Sequence, residues 1–190
     1  MFDTIIIGAG PAGLSAAKIL QDKQDVLVID EYYQAGGRLL GQLYEEDKGK
    51  WWNGGKIAND LISKIKNKTE ILMNTSVYDV EYGGEYTVYT TSGEFTSTHL
   101  IIATGAREKS TPLPGWDLPG VMTVGAAQIL TNFNRVKPGN KGVIIGINPL
   151  SMVIAMELGY ADIDVAKICL PSRNIINLKT PFDAFETLLS

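Results

Sequence analysis

Ile5-Ile6-Ile7-Gly8-Ala9-Gly10-Pro11-Ala12-Gly13, followed by Val26-Leu27-Val28-Ile29-Asp30, is the stretch whose reading decides the fold. An apolar run enters a glycine turn, a helical run follows, and a second apolar run ends in an acid. This is the order of a strand–turn–helix–strand unit that holds a dinucleotide, and each residue type has a task in it. Gly8 allows the tight turn out of the strand. Gly10 has no side chain, so a pyrophosphate can reach the backbone. Gly13 lets the helix pack closely on the sheet. Pro11 fits the first helical turn, where its missing N–H has no partner to lose. The helix then turns free N–H groups and a positive dipole end toward the phosphates. Asp30 is suited to accept from both hydroxyls of a ribose. It stands about 22 residues beyond Gly8, near the roughly 20 expected. Glycines alone would fit an ordinary turn; the apolar strand before them, the amphipathic helix after them and the acid make the fingerprint specific.

A chain of 190 residues holds one or two domains and can bury a core. Net charge is −4 with no basic patch, which speaks against nucleic acid as a partner. No apolar run reaches the roughly 18 residues of a membrane span. The N-terminal apolar stretch lacks a basic leader and reads as a strand, so neither a signal peptide nor membrane association is expected. Cys169 is the single cysteine, too few for a disulfide framework or a thiolate metal site. Together these predict a soluble cytoplasmic protein.

Working outward, the first helix is predicted over Pro11 to Leu20, with Leu14, Ala17, Ile19 and Leu20 toward the sheet and Lys18 outward. Gly36-Gly37 after the second strand suits either a ligand approach or a plain turn. Trp51-Trp52 beside Gly54-Gly55 suits a cover over a flat ring or, more commonly, packing. Ile57, Leu61, Ile62 and Ile65 mark an amphipathic helix from Lys56 to Lys66. From Glu70 the period becomes two: strands are predicted over 70–73, 76–81, 86–91 and 95–98, with a hairpin turn at Tyr82-Gly83-Gly84-Glu85. They form a small antiparallel meander. His99 to Ala106 reads as a further apolar strand ending in Ala103-Thr104-Gly105. His99, the only histidine, has no evident acid or nucleophile partner and is read as structural. Arg107 to Gly120 is rich in Pro and charge and reads as a connection. A helix is predicted from Val124 to Phe133.

Gly142 to Ser151 repeats the opening design with damage. Gly146-Ile147-Asn148-Pro149-Leu150-Ser151 has Asn148 at the second glycine position and Ser151 at the third. A helix is expected from Leu150 to Leu158 and a strand from Val165 to Leu170. Pro171-Ser172-Arg173 follows with no acid for a ribose, and a frayed helix is expected over 180–190. The fold class is therefore α/β: a Rossmann-like first domain with an antiparallel meander, over 1–108, and the start of a second Rossmann-like domain over 109–190.

With these residues in order, the chain resembles the flavoproteins with two dinucleotide-binding domains, the glutathione and thioredoxin reductase superfamily. The resemblance implies FAD at the first site and NAD(P)H at the second, where the fingerprint makes NAD(P) a weak expectation. Carried over, Gly8, Gly10, Pro11, Ala12 and Gly13 would line the FAD pyrophosphate. Asp30, with Glu31 beside it, would hold the adenosine ribose, and the Val77 backbone would meet the adenine. Ala103, Thr104 and Gly105 would pass beside the cofactor, with Gly37 and Arg38 near its flavin end. The chain is similar above all to a thiol-free branch, the FAD/NAD-binding subunits of sarcosine oxidase, opine oxidase, dye-linked proline dehydrogenase and hydrogen cyanide synthase. Where thioredoxin reductases carry Cys-x-x-Cys, this chain has Gly125-Ala126-Ala127-Gln128. A dithiol cycle needs two sulfurs, so disulfide reduction is excluded. No Gly-Asp dipeptide occurs for the closing FAD strand of that superfamily, so the chain looks like the N-terminal part of a longer protein or a truncated product.

The resemblance implies an FAD-dependent oxidoreductase subunit or fragment that oxidises an amine or amino acid, or relays electrons. Its partners would be a small-molecule substrate and a second flavoprotein subunit, in an oligomer. The alternatives are a thiol-free NAD(P)H-dependent flavin reductase, and a nucleotide-binding structural subunit without turnover. No side chain reads as catalytic, and no metal site is expected.

Overall fold

A computed structural model describes residues 1–65, 69–110 and 112–169. The predicted strand β1 (Phe2–Ile7), helix α1 (Pro11–Leu20) and strand β2 (Val26–Ile29) are all present. The two strands lie side by side inside a six-stranded sheet in the order β5-β2-β1-β8-β7-β6, with α1 packed on one face. Strand β5 (Thr69–Leu72) pairs parallel to β2, so the segment at 70–73 belongs to the parallel sheet and not to the meander. Strands β6 (Val77–Tyr82), β7 (Tyr86–Thr90) and β8 (Gly93–Ile102) make the antiparallel meander.

The two predicted strands at 95–98 and from His99 are one strand, β8, and it ends at Ile102. Its first half pairs antiparallel with β7 and its second half parallel with β1. Ser97 is the pivot: it stands opposite both Tyr86 and Phe2 in register. Its buried hydroxyl donates to the His99 carbonyl at 2.8 Å. His99 itself is exposed, with Nδ1 3.2 Å from the Asp3 carbonyl, in keeping with a structural part.

Parallel strands covered on both faces read as continuous apolar runs, and β2 is buried throughout. On one face Ile6, Val26 and Val28 pack with Leu14 and Ala17 of α1 and with Leu61 and Ile62 of α2 (Gly54–Ser63). On the other, Ile5, Leu27 and Ile29 meet Val88 of β7, with Val80 and Phe95 beside them. The meander thus covers the second face of the parallel strands. Ile19 departs from expectation. It was predicted toward the sheet and is 75% exposed, because α1 turns a face narrower than its apolar stretch to the core.

Trp51-Trp52 lies in a hairpin of β3 (Leu43–Asp47) and β4 (Lys50–Asn53). Trp52 stacks on Tyr44 at 5.8 Å, and Trp51 meets Tyr160 edge-on at 5.1 Å. Helix α2 starts two residues before the predicted Lys56, because Asn53 caps it by accepting from the Lys56 N–H at 3.0 Å. The predicted helix from Val124 to Phe133 has two parts: α3 (Val124–Gln128) and a π-helical turn, Ile129–Phe133. Beyond it β9 (Lys141–Ile145), α4 (Pro149–Tyr160) and β10 (Asp164–Cys169) repeat the opening unit around Ile154, Leu158 and Ile163. Leu170, Pro171-Ser172-Arg173 and the helix expected at 180–190 lie outside the described residues.

Leu27 and Ile19 make a matched test of this packing. Leu27→Ala should cost about 2–5 kcal/mol, because it empties a site sealed between two layers. Ile19→Ala should stay within about 0.5 kcal/mol. Urea denaturation followed by circular dichroism measures both; a similar loss at the two positions would contradict the packing described.

Candidate functional site

The sheet brings the C-terminal ends of β1, β2 and β8 to one edge, and the glycine turn after β1 sits there. Gly8 has φ +110°, and a Cβ there would collide with the Ala103 carbonyl just past β8. The Ala103 N–H in turn donates to the Ile7 carbonyl at 2.8 Å. A Cβ on Gly13 would run into the Gly8 carbonyl. These two glycines are fixed by fold packing. Gly10 differs: a Cβ there would find only the Gly37 Cα, at 4.0 Å. Gly37 has φ +53°, and its own Cβ would lie 2.9 Å from the Gly10 Cα. Two stretches of bare backbone therefore face each other, tied by the Gly36 N–H donating to the Ala9 carbonyl at 2.8 Å.

Helix α1 begins at this place with Gly10 as its N-cap, and no side chain caps it. Its first-turn N–H groups and dipole are left open to solvent or to a ligand. Pro11 and Ala12 are exposed at its mouth. Asp30 turns its carboxylate onto the loop. Oδ2 accepts from the Ala9 N–H at 2.6 Å and Oδ1 from the Tyr32 N–H at 2.8 Å. A carboxylate offers about four acceptor sites, so two remain for sugar hydroxyls. Glu31 is exposed beside it. The Asp30 carbonyl also accepts from the Thr75 N–H at 3.0 Å, which brings the chain just before Val77 to the acid. Thr104 and Gly105 are exposed beyond Ala103.

Arg38 lies in the 3₁₀ turn Gly37–Gly41 and forks onto the Ala106 carbonyl, from Nε at 3.2 Å and Nη2 at 2.7 Å. This bond joins the second glycine pair to the segment after β8. The sequence placed Arg38 near one cofactor end but held no hint of Ala106 as its partner. Glu108 was also missed. Its carboxylate accepts from the Thr123 hydroxyl at 2.7 Å and from the Gly125 N–H at 3.0 Å, so it holds the start of α3.

A third polar group, Glu157 on α4, is 2% exposed. Its Oε2 accepts from Gln128 Nε2 at 2.8 Å and Asn132 Nδ2 at 2.9 Å. Asn132 Nδ2 also donates to the Gly41 carbonyl at 2.8 Å. Burial pushes the carboxyl above its ordinary range, and donors from Gln128, the Leu43 backbone and Asn132 counter this in part. An acid inside Met152-Val153-Ile154-Ala155-Met156-Glu157-Leu158 was the available signal, since a charge among apolar neighbours needs donors. Among the described residues no group of acids, histidines and cysteine gathers to hold a metal, and no helix is long and apolar enough to cross a membrane.

Residues 2–174 match the family described as pyridine nucleotide-disulphide oxidoreductase, and the chain belongs to that family. It is 34% identical to an opine oxidase subunit of Rhizobium meliloti (strain 1021) over 164 residues, covering 83% of this chain and 36% of that one. L-proline dehydrogenase from P. horikoshii superposes with a TM-score of 0.76 at 28% identity, covering 88% of this chain and 35% of that one. Thioredoxin reductase from T. acidophilum shares the fold, with a TM-score of 0.67 at 22% identity over 89% of this chain and 55% of that one. The chain thus spans about a third of the proline dehydrogenase and about a third of the opine oxidase relative. The family is one of oxidoreductases that bind FAD, and related reductases also use NAD(P). The open space at Gly10, the uncapped α1 and the spare acceptor sites of Asp30 fit a dinucleotide at the first turn.

Glu157 gives a pH test. A carboxyl raised in the folded state contributes stability below the unfolded pKa and loses it as pH rises through the folded value. Wild-type stability should therefore fall relative to Glu157→Gln as pH climbs out of the carboxylate range. Thermal melts of both proteins from pH 4 to pH 8 check this. Parallel profiles would mean that Glu157 is not held above its ordinary pKa.

Proposed function

We propose that this chain is the FAD-holding part of an oxidoreductase that oxidises an amine or amino acid, or relays the electrons of that oxidation. The observation that carries the reading is the cleft of bare backbone between Gly10 and Gly37 at the uncapped start of α1. In this reading Gly8, Gly10, Pro11, Ala12 and Gly13 hold the diphosphate and Asp30, with Glu31 beside it, the ribose. The Val77 backbone borders the adenine, and Gly37, Arg38, Ala103, Thr104 and Gly105 border the flavin half. FAD, when bound, supplies the two-electron chemistry. The protein's part is to bind and orient: backbone N–H groups take the phosphate charge, and the Arg38 fork fixes the distance between the second glycine pair and the β8 end.

The substrate class is supported by the relatives' own names, which specify an opine and L-proline. The reading is of an amine-oxidising and not a disulphide-reducing member, supported by Gly125-Ala126-Ala127-Gln128 and by Cys169 being the one thiol among these 190 residues. A further subunit is part of the proposal, since the opine oxidase relative is itself named as one subunit. So is the division into 1–108 and 109–190, which the separate apolar cluster around Ile154 supports.

Two measurements on the intact protein test the reading. A Cβ at Gly10 keeps ordinary contact distance to the Gly37 Cα, so the fold should survive Gly10→Val while its side chain fills the cleft and FAD affinity falls by about two orders of magnitude, near 3 kcal/mol. Fluorescence titration of FAD against wild type and variant reads this, and equal affinities would remove the cleft as the site. Anaerobic addition of amines such as L-proline, sarcosine and an opine should bleach the bound flavin's visible bands. Retained FAD with no bleaching by any amine would sink the substrate class.

A further inference from the structure

The two glycine turns of this chain are built alike and differ at one decisive place. The Gly8 N–H donates to the Ile29 carbonyl at 2.7 Å, and the Gly146 N–H to the Cys169 carbonyl at 2.8 Å. Gly8 has φ +110° and Gly146 φ +101°. Both following helices start with proline after an extended N-cap residue. At the first turn that residue is Gly10, and nothing caps the helix. At the second it is Asn148, and its Oδ1 accepts from the Ser151 N–H at 2.9 Å. The donor that would meet a phosphate oxygen is already taken, by a side chain of the same turn.

Three consequences follow for a pyridine nucleotide, the second ligand of the wider family. The Asn148 Cβ stands where the backbone must be bare for a diphosphate to approach. The Asn148 carbonyl oxygen presents a partial negative charge where the phosphates would lie. Ser151, 2% exposed, carries a Cβ at the position where Gly13 of the first turn tolerates none. Helix α4 therefore cannot lie as close to its turn as α1 does. These residues do not fit the dinucleotide that the architecture was built around.

We infer that the second glycine turn is closed by its own Asn148 and does not bind NAD(H) or NADP(H). The turn keeps its architecture as a packing unit, and Asn148 stabilises α4 as an ordinary N-cap. This turn then takes no part in delivering reducing equivalents from a nicotinamide nucleotide. This inference stands apart from the flavin reading, since it concerns the other turn and holds whether or not the first one takes FAD.

The test uses ADP-ribose, which carries the diphosphate and adenosine but no reactive ring, titrated calorimetrically into the intact protein with saturating FAD present. Wild type should show no saturable binding up to millimolar concentration. Asn148→Gly, with or without Ser151→Gly, should bind at least tenfold more tightly. Micromolar binding by wild type that also changes exchange of the Ser151 amide, or a folded Asn148→Gly variant no tighter than wild type, overturns the inference, whereas binding that leaves Ser151 unchanged belongs to the first turn. Hydrogen exchange on the wild type gives an arm independent of the variants. The Ser151 amide should be protected without nucleotide and unchanged by ADP-ribose, and added protection by ADP-ribose overturns the inference as well.

Discussion

Backbone approaching backbone, with no Cβ between, is the constraint on which the rest of this structure depends. Gly8 lies against the Ala103 carbonyl, Gly13 against the Gly8 carbonyl, and Gly37 against the Gly10 Cα. These contacts draw the ends of β1 and β8, the start of α1 and the turn after β2 to one point. Side chains at Gly8 or Gly13 would push the sheet and helix apart. A side chain at Gly10 would leave the fold and occupy the opening. The same residue type thus serves closeness in two places and emptiness in a third.

Polar bonds then tie distant segments to that point. Asp30 holds Ala9 and Tyr32, and Arg38 holds the Ala106 carbonyl. Asn132 links Gly41 to Glu157 and so connects the 3₁₀ turn after the second glycine pair with α4. Burying the Glu157 carboxyl is unfavourable by itself, and the side-chain amides of Gln128 and Asn132 help to make its position tolerable. The repeated unit is therefore joined to the segment from the second glycine pair through β4 by a hydrogen-bonded contact as well as an aromatic one, the edge-on meeting of Trp51 with Tyr160 of α4.

The two turns show how little separates a nucleotide cradle from a packing element. Strand, turn, positive-φ glycine and proline-led helix are common to both. Replacing one bare N-cap by asparagine exchanges an open helix end for a satisfied one. Fold and site are thus separable in this chain: the architecture survives a change that alters what the turn can hold.

The first unit was legible in the sequence because its signals are local. Continuous apolar runs mark parallel strands covered on both faces, glycine spacing marks the turn, and proline marks the helix start. The resemblance of the whole chain to two-domain flavoproteins was legible for the same reason, and the family match bears it out. Tertiary structure alone decided the rest. Strand β5 joins the parallel sheet and β8 runs unbroken through Ser97, because pairing partners and not local alternation set where a strand belongs and ends. Ile19 faces solvent because the width of the buried stripe depends on what packs over α1. The Arg38–Ala106 and Asn132–Glu157 bonds join residues far apart in the chain, where no local pattern exists to announce them. Sequence determines what each short segment prefers to be; only the closed chain settles which segments touch, because contact energies at long separation leave no periodic mark.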